Sequence, residues 1–378
     1  MMNLTNIKAV AKKEYFHLIR DFRSLYLAFI IPLLLIFMFG YALSLDVDNV
    51  RTVVVDYDNT PLSRDLIHKL DASPYFDVIR WLDTTAQMTK FIDKGEAKLG
   101  VVIPAGWTKD MRADRETPVQ FILDGSDPNY AGISRGYVNA FVQNYNQHML
   151  VQYINRQGLS EINPPVEARI RVWFNEELES RYFIVPGIIA IIIMIVGALL
   201  TSLVIAREYE NGTMETIRSL PIRAGEFLVG KAIPYFLIAM MDVFIAVLMG
   251  QVLFGTVIKS SFWLMVLAST IYLAVALSLG LLISSVTKSQ QVANQLAILV
   301  TYLPSILLSN FVFPVVNMPK ALQLITKIVP ATYYIDILNG LYLRGVGIHR
   351  LWQDYLILVV MSMVLGTLNV LVLRKEGL

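Results

Sequence analysis

The sequence predicts a polytopic α-helical membrane protein with six transmembrane helices, an N-terminal amphipathic interfacial helix, a re-entrant hairpin before the last span, and an inserted extracytoplasmic α/β domain. Three observations carry that reading. Hydrophobic residues make up 55 % of the 378 and charged residues only 16 %, against roughly 25 % charged in ordinary soluble domains. Six runs of 19–25 residues are nearly free of charge, long enough to cross a hydrocarbon core about 30 Å thick. Between the first two runs, residues 46–181 turn polar, and short β-type stretches alternate with helical ones.

Residues 1–24 read as a cytoplasmic amphipathic helix. Leu4, Ile7, Ala11, Tyr15, Leu18 and Phe22 recur at three- and four-residue intervals, and lysines and arginines fill much of the other face. That pattern suits a helix lying on the inner membrane surface; a helix packed on protein is the alternative. Residues 25–45 form the first span, whose apolar run starts too late and runs too long for a cleavable signal. In the 46–181 domain, Arg51–Tyr57, Tyr75–Leu82, Lys98–Ile103 and Val119–Leu123 read as strands. Pro61–Asp71, Thr84–Lys94 and a long Tyr130–Tyr153 read as helices. A segment of this length can bury its own core. With 15 basic and 20 acidic residues, a balance of −5, it is no surface for anionic polymers.

Residues 182–378 hold the remaining spans: Tyr182–Ala206, Ala232–Phe254, Phe262–Val286, Val292–Val316 and Tyr355–Leu373. A lone segment in lipid satisfies its backbone only as a helix. Pro319–Val329 and Ala331–Leu343 are too short to cross and are split by Pro330, which predicts a re-entrant hairpin over 319–343. In the short loops, twelve lysines and arginines fall on the side of the N-terminus and five on the other. This bias puts both termini in the cytoplasm and residues 46–181 outside. Trp173, Tyr182, Trp263, Tyr333, Tyr334 and Trp352 fit the interfacial aromatic belt.

Several chemistries are excluded or weakened. There are no cysteines, so thiolate catalysis and disulfides are out. His17, His68, His148 and His349 have no ligand spacing, which argues against a metal. A net charge of +2 leaves no concentrated basic face for nucleic acid. Gly225–Ala232 has the G-x-x-x-x-G-K spacing of a phosphate loop, but alanine replaces the Ser/Thr that would hold magnesium and no strand precedes it. It reads instead as a tight turn carrying Lys231, so no cofactor is expected on this chain.

The most informative stretch is Arg207–Lys231, which includes Glu208. Asn211-Gly212 stops one helix. Thr213 can cap a short new one with Glu215 in its first turn, and Pro221 ends it. A capped two-turn helix over 213–220 on a tight loop is suited to docking into a partner; a plain solvated turn is the alternative. The pattern E-x-G-T-x-E-x-I-x-x-x-P, carried by Glu210, Gly212, Thr213, Glu215, Ile217 and Pro221, is followed by G-K-x-x-P-Y at Gly230, Lys231, Pro234 and Tyr235. It resembles ABC transporter permeases of the type-two exporter class. The stretches VVDYDNTPLSRDLIHKL, KLGVVIPAGWTKDM and PATYYIDILNGLYLRG extend the resemblance along the chain. It implies a coupling helix pressed by a separate cytoplasmic ATP-binding subunit that holds ATP and magnesium. It also implies pairing with a second permease, a bacterial inner-membrane location, contact with membrane lipids, and in some members a periplasmic adaptor. The substrates implied are drugs, lipids or polysaccharides. Pro330, Tyr333, Tyr334 and Asp336 would belong to the re-entrant outer gate.

Asp242 stands alone as an ionisable residue well inside a span, where a carboxylate needs a reason. It is either a contact in the transport pathway or an interhelical hydrogen-bond anchor to Asn294 or Gln295. A membrane-anchored receptor and a proton-coupled carrier are the competing function classes. The short helix after Gly212 argues against the first, and the lack of a basic relay around Asp242 against the second.

Overall fold

The computed structural model describes residues 3–20, 22–42, 49–113, 115, 117–126, 128–156, 174 and 179–378. They belong to two compact units, Met1–Ser44 with Val172–Leu378, and Leu45–Arg171. The first unit begins with α1 (Leu4–Arg20) and α2 (Phe22–Ala42). The second comprises β1 (Val50–Asp56), α3 (Pro61–Asp71), β2 (Phe76–Leu82), α4 (Thr85–Asp93), β3 (Leu99–Ile103), α5 (Trp107–Arg112), β4 (Gln120–Leu123) and α6 (Pro128–Arg156). The first unit resumes with α7 (Arg181–Ser202), α8 (Val204–Glu210), α9 (Thr213–Ser219), α10 (Ala224–Phe254), α11 (Phe262–Thr287) and α12 (Gln290–Leu307). It closes with α13 (Lys320–Thr326), α14 (Pro330–Asn339) and α15 (Ile348–Lys375).

The smaller unit is a four-stranded sheet in the order β2-β1-β3-β4, with β1 parallel to both neighbours and β4 antiparallel to β3. β3 is buried along its whole length, which is why its sequence is a continuous apolar run instead of an alternating one. Thr60 and Ser63 form a capping box at the start of α3, with Pro61 in the first turn. Its strands and longer helices lie within a few residues of those expected, and the six-residue α5 is an addition to them.

In the larger unit, four helices among the described residues are long and apolar enough to cross a membrane: Arg181–Glu210 (α7 with α8), α10, α11 and α15. α7 is the hub. Nearly every residue from Ile184 to Ala198 is buried, because α2, α10, α11, α12 and α14 all pack on it. Such a helix must be apolar all round. At Leu203 the chain steps out of α7 into α8, and the Ser284 hydroxyl accepts the N–H groups of Ile205 and Ala206 at 3.0 and 2.9 Å. That satisfies donors which the break would otherwise strand.

Three expectations change. The fifth expected span, Val292–Val316, is helical only to Leu307. Pro304 removes a backbone donor in its last turn, Asn310 takes a left-handed φ of 66°, and Pro314 follows. The apolar run continues, but the helix cannot. Second, α1 buries Val10, Glu14 and Leu18 against α10 and leaves Leu4, Tyr15, Phe16 and Ile19 exposed. Its buried stripe is therefore turned from the one expected: one side packs on α10, and a second apolar side stays exposed. Third, Tyr334 is not an interfacial anchor. It is 1 % exposed and stacks on Tyr272 with ring centroids 4.0 Å apart. Trp263 and Trp352 are exposed as an anchor requires; Trp173 lies outside the described residues.

Candidate coupling site

The segment between α8 and α10 forms a two-sided wedge. Gly212 has φ +69°, a left-handed conformation that suits glycine and reverses the chain after Asn211. Thr213 is therefore not the cap that the sequence suggests. Gly212 holds the cap position, and the Thr213 hydroxyl instead donates to the carboxylate of Glu208. Along α9, Met214 and Ile217 point inward to join Phe227, Leu228, Leu281 and Leu373 in one apolar cluster. Glu215, Thr216, Ser219, Leu220 and Pro221 are exposed. The spacing of three between Met214 and Ile217 gives a two-turn helix one anchored side and one free side.

Behind the wedge lies a buried ionic network. Lys231, only 2 % exposed, donates to Glu14 at 2.6 Å and to Glu208 at 2.5 Å. Tyr235, one turn on, donates to the other oxygen of Glu14 at 2.8 Å, and Lys13 reaches Glu208 at 3.1 Å. Two carboxylates thus meet two ammonium groups, which is what makes burying them tolerable. The network ties α1, α8, α9 and α10 together through side chains. The G-x-x-x-x-G-K stretch is no tight turn: Gly225–Ala232 lies inside the continuous helix α10, and Lys231 is held by carboxylates. Glu14 is legible in the sequence only as an acidic residue standing in the stripe Ile7, Val10, Glu14, Leu18.

Two further clamps hold the same region. Glu226 accepts from the Asn3 N–H at 2.7 Å and from the Asn6 side chain at 2.8 Å, and Asn6 also reaches the Pro221 carbonyl at 3.2 Å. Glu376, just past α15, takes Lys288 at 2.7 Å and both Arg218 and Tyr209 at 3.2 Å. The hydrogen bond from Lys288 holds its carboxyl below the ordinary glutamate value.

The expected coupling residues thus divide. Glu215 and Pro221 face outward; Gly212 shapes the turn; Thr213 and Glu208 belong to the network; Ile217 is core. Glu210 is exposed but occupied, accepting from the backbone and side chain of Gln290 at 2.8 and 2.5 Å, and so it closes the start of α12.

Asp242 on α10 is 6 % exposed, and its Oδ2 has no hydrogen-bond partner among the described residues. It borders a cavity of about 10 Å³ with Pro32, Ile192, Val196 and Leu273. Asn294 and Gln295, its suggested partners, are exposed on α12, and α7 packs against both α10 and α12. The interhelical anchor to Asn294 or Gln295 is therefore not made. Around the expected gate, Pro330 opens α14. Tyr334 shares a 2.8 Å hydrogen bond with Ser269, Tyr333 donates to the Lys327 carbonyl at 2.8 Å, and Asp336 is half-buried.

A bundle around one buried apolar hub, with several helices long and apolar enough to cross a membrane and a short helix exposed on one side, defines a helical, membrane-type protein. The chain belongs to a transporter family: residues 22–371 match the family described as ABC-2 family transporter protein. It is 35 % identical over 346 residues to the Escherichia coli K12 protein named "Probable multidrug ABC transporter permease YbhS", covering 91 % of this chain and 90 % of that one. It is 30 % identical over 365 residues to "Probable multidrug ABC transporter permease YbhR" of the same strain, covering 97 % of each. A Dictyostelium discoideum protein, "ABC transporter G family member 20", is 21 % identical over 370 residues, 97 % of this chain and 50 % of that protein.

Proposed function

We propose that this chain is the membrane-spanning permease subunit of an ATP-driven exporter, moving hydrophobic or amphipathic molecules such as drugs or lipids out of the cytoplasm or inner leaflet. The carrying observation is the wedge: α9 exposes Glu215, Thr216 and Ser219 on one side and is anchored on the other to the cluster and network that join α1, α8 and α10. A push on its free side would be transmitted to three helices at once. ATP hydrolysis and its magnesium belong to a separate cytoplasmic subunit seated on α9. In the Dictyostelium relative the aligned region is half of a longer chain, as expected if the other half does what that subunit does here.

In this reading α2 and α12 complete six spans, residues 46–181 are extracytoplasmic, and both termini lie in the cytoplasm of a bacterial inner-membrane protein. The stretch 319–343 is a re-entrant outer gate, and two such permeases pair to enclose the transport pathway. The names and coverage of the two Escherichia coli relatives support the transport class.

The test is a reconstitution in lipid nanodiscs with the co-purified ATPase. Glu215→Arg should cut permease-stimulated ATP hydrolysis more than tenfold while the melting temperature of the permease stays unchanged, because Glu215 is exposed. Undiminished stimulation by that variant would remove α9 from the coupling role. Failure to recover any ATP-hydrolysing subunit from native membranes would remove the exporter reading itself.

A further inference from the structure

One carboxylate gathers the ends of four helices. Glu376 caps α15. Its Oε1 accepts from Lys288 at 2.7 Å, and its Oε2 accepts from Arg218 and from the Tyr209 hydroxyl, each at 3.2 Å. Lys288 immediately follows α11, Arg218 lies in the last turn of α9, and Tyr209 lies in the last turn of α8. Both cations also stand over the Tyr209 ring, 5.0 and 5.7 Å from its centroid, so they share one ring as well as one carboxylate. Among the described residues Arg218 pairs with no other carboxylate. Partly exposed ion pairs contribute little to stability. The effect of this cluster is on position: it fixes where α9 stands against α15. The apolar side agrees, because Leu373 of α15 shares a buried cluster with Met214 and Ile217 of α9.

That junction leads to the other end of the bundle. α15 is one unbroken helix of 28 residues, about 42 Å long. Near its start, Leu351, Tyr355 and Leu358 are buried in one apolar cluster with Tyr334, Ile335 and Leu338 of α14. Along its length it is tied to α11: the Tyr355 hydroxyl donates to the Leu264 carbonyl and the Asn369 side chain to the Ser278 carbonyl, both at 2.8 Å. α11 and α15 thus form a stitched pair that meets Glu376 at one end and α14 at the other. A rigid element held at both ends is what can carry a displacement over such a distance.

We propose that Glu376 is a positioning residue that delivers the movement of α9 to α11 and α15, and through α15 to α14. This rests on the exporter reading, in which α9 takes the push of the ATPase and α14 belongs to the outer gate. It adds a route separate from the network of Glu14, Glu208 and Lys231, which leads to α1 and α10. Without the carboxylate, Arg218 and Lys288 remain as like charges beside one ring, so α9 is released from α15 instead of held to it.

Because the chain has no cysteine, single thiols can report on each route. Ile328→Cys lies exposed two residues before α14, and Lys12→Cys lies exposed on α1. Each full chain is labelled with bimane, then assembled with the ATPase subunit in lipid nanodiscs. ATP with vanadate should shift the emission of both labels. Glu376→Gln should reduce the shift at position 328 several-fold and leave the shift at position 12. Arg218→Gln, which keeps Glu376 paired with Lys288 and strands no charge, should also reduce the shift at position 328. The proposal is overturned if position 328 responds fully in both variants. It is equally overturned if both labels lose their response together in Glu376→Gln, since the cluster would then only seat α9. If position 12 alone answers ATP in the unaltered chain, the exporter reading stands and this proposal falls. If neither label answers, both fall.

Discussion

Lys231 shares its single charge between two buried carboxylates, and Lys13 supplies the second positive charge at the rim. Taking away one member of such a set is worse than never having built it, because the remaining charges stay buried without compensation. Lys231→Met should therefore destabilise the protein by about 3–5 kcal/mol, as expected for breaking a buried pair. Combining it with Glu14→Gln and Glu208→Gln should restore most of the loss. Thermal unfolding in detergent distinguishes the two outcomes, and a triple variant no better than Lys231→Met would refute the compensation.

Asp58, in the smaller unit, gives a residue-scale expectation in pH. Burial raises its pKa, but hydrogen bonds from the hydroxyls of Thr108 and Thr60 and from the Thr108 N–H outweigh it and hold the group below the ordinary 3.8. A carboxyl depressed in the folded state stabilises the fold above its unfolded pKa, and that contribution is lost as pH falls through the folded value. The junction of β1, α3 and α5 should accordingly loosen below about pH 4, with Asp58→Asn flattening the acid limb. Hydrogen exchange at α3 across that range reads the effect.

At the scale of elements, close approach governs the bundle. A Cβ added at Gly230 would lie 2.7 Å from the Cβ of Val10, so glycine is what lets α1 seat on α10. At Gly280 an added Cβ would overlap the Ala198 carbonyl and the Thr201 hydroxyl, both parts of rigid α7. The first clash can be relieved by tilting α1, which packs chiefly on α10; the second cannot be relieved without moving the hub. Gly280→Ala should cost about 1–3 kcal/mol or more, the usual range for overpacking. Gly230→Ala should cost less overall but selectively expose α1 to protease. If the two variants behave alike, α1 is bound more rigidly than its contacts indicate.

For the whole molecule, the absence of cysteine makes the proposed topology directly measurable. Lys94→Cys and Thr216→Cys place single thiols at exposed positions, one in each unit. In intact cells stripped of outer membrane, an impermeant maleimide should label the first, and the second only after permeabilisation. Labelling of both from outside would invert or dismantle the proposed arrangement.

What the sequence determines by itself is whatever acts over a few residues. Hydropathy separates the apolar helices from the α/β segment, and the breaker pairs Asn211-Gly212 and Leu220-Pro221 bracket α9, since backbone conformation and solvent preference are local properties. Where a breaker is masked by apolar neighbours, as at Asn310 and Pro314, that local reading overruns the helix end. The tertiary structure alone decides which side chains meet. Glu14 and Lys231, 217 positions apart, become partners only when α1 lies on α10. Asp242 and Asn294 are kept apart by α7, and Tyr334 enters the core because Tyr272 offers a ring to stack on. A residue's type fixes what burial would cost it, but only the packed neighbours determine whether that cost is met.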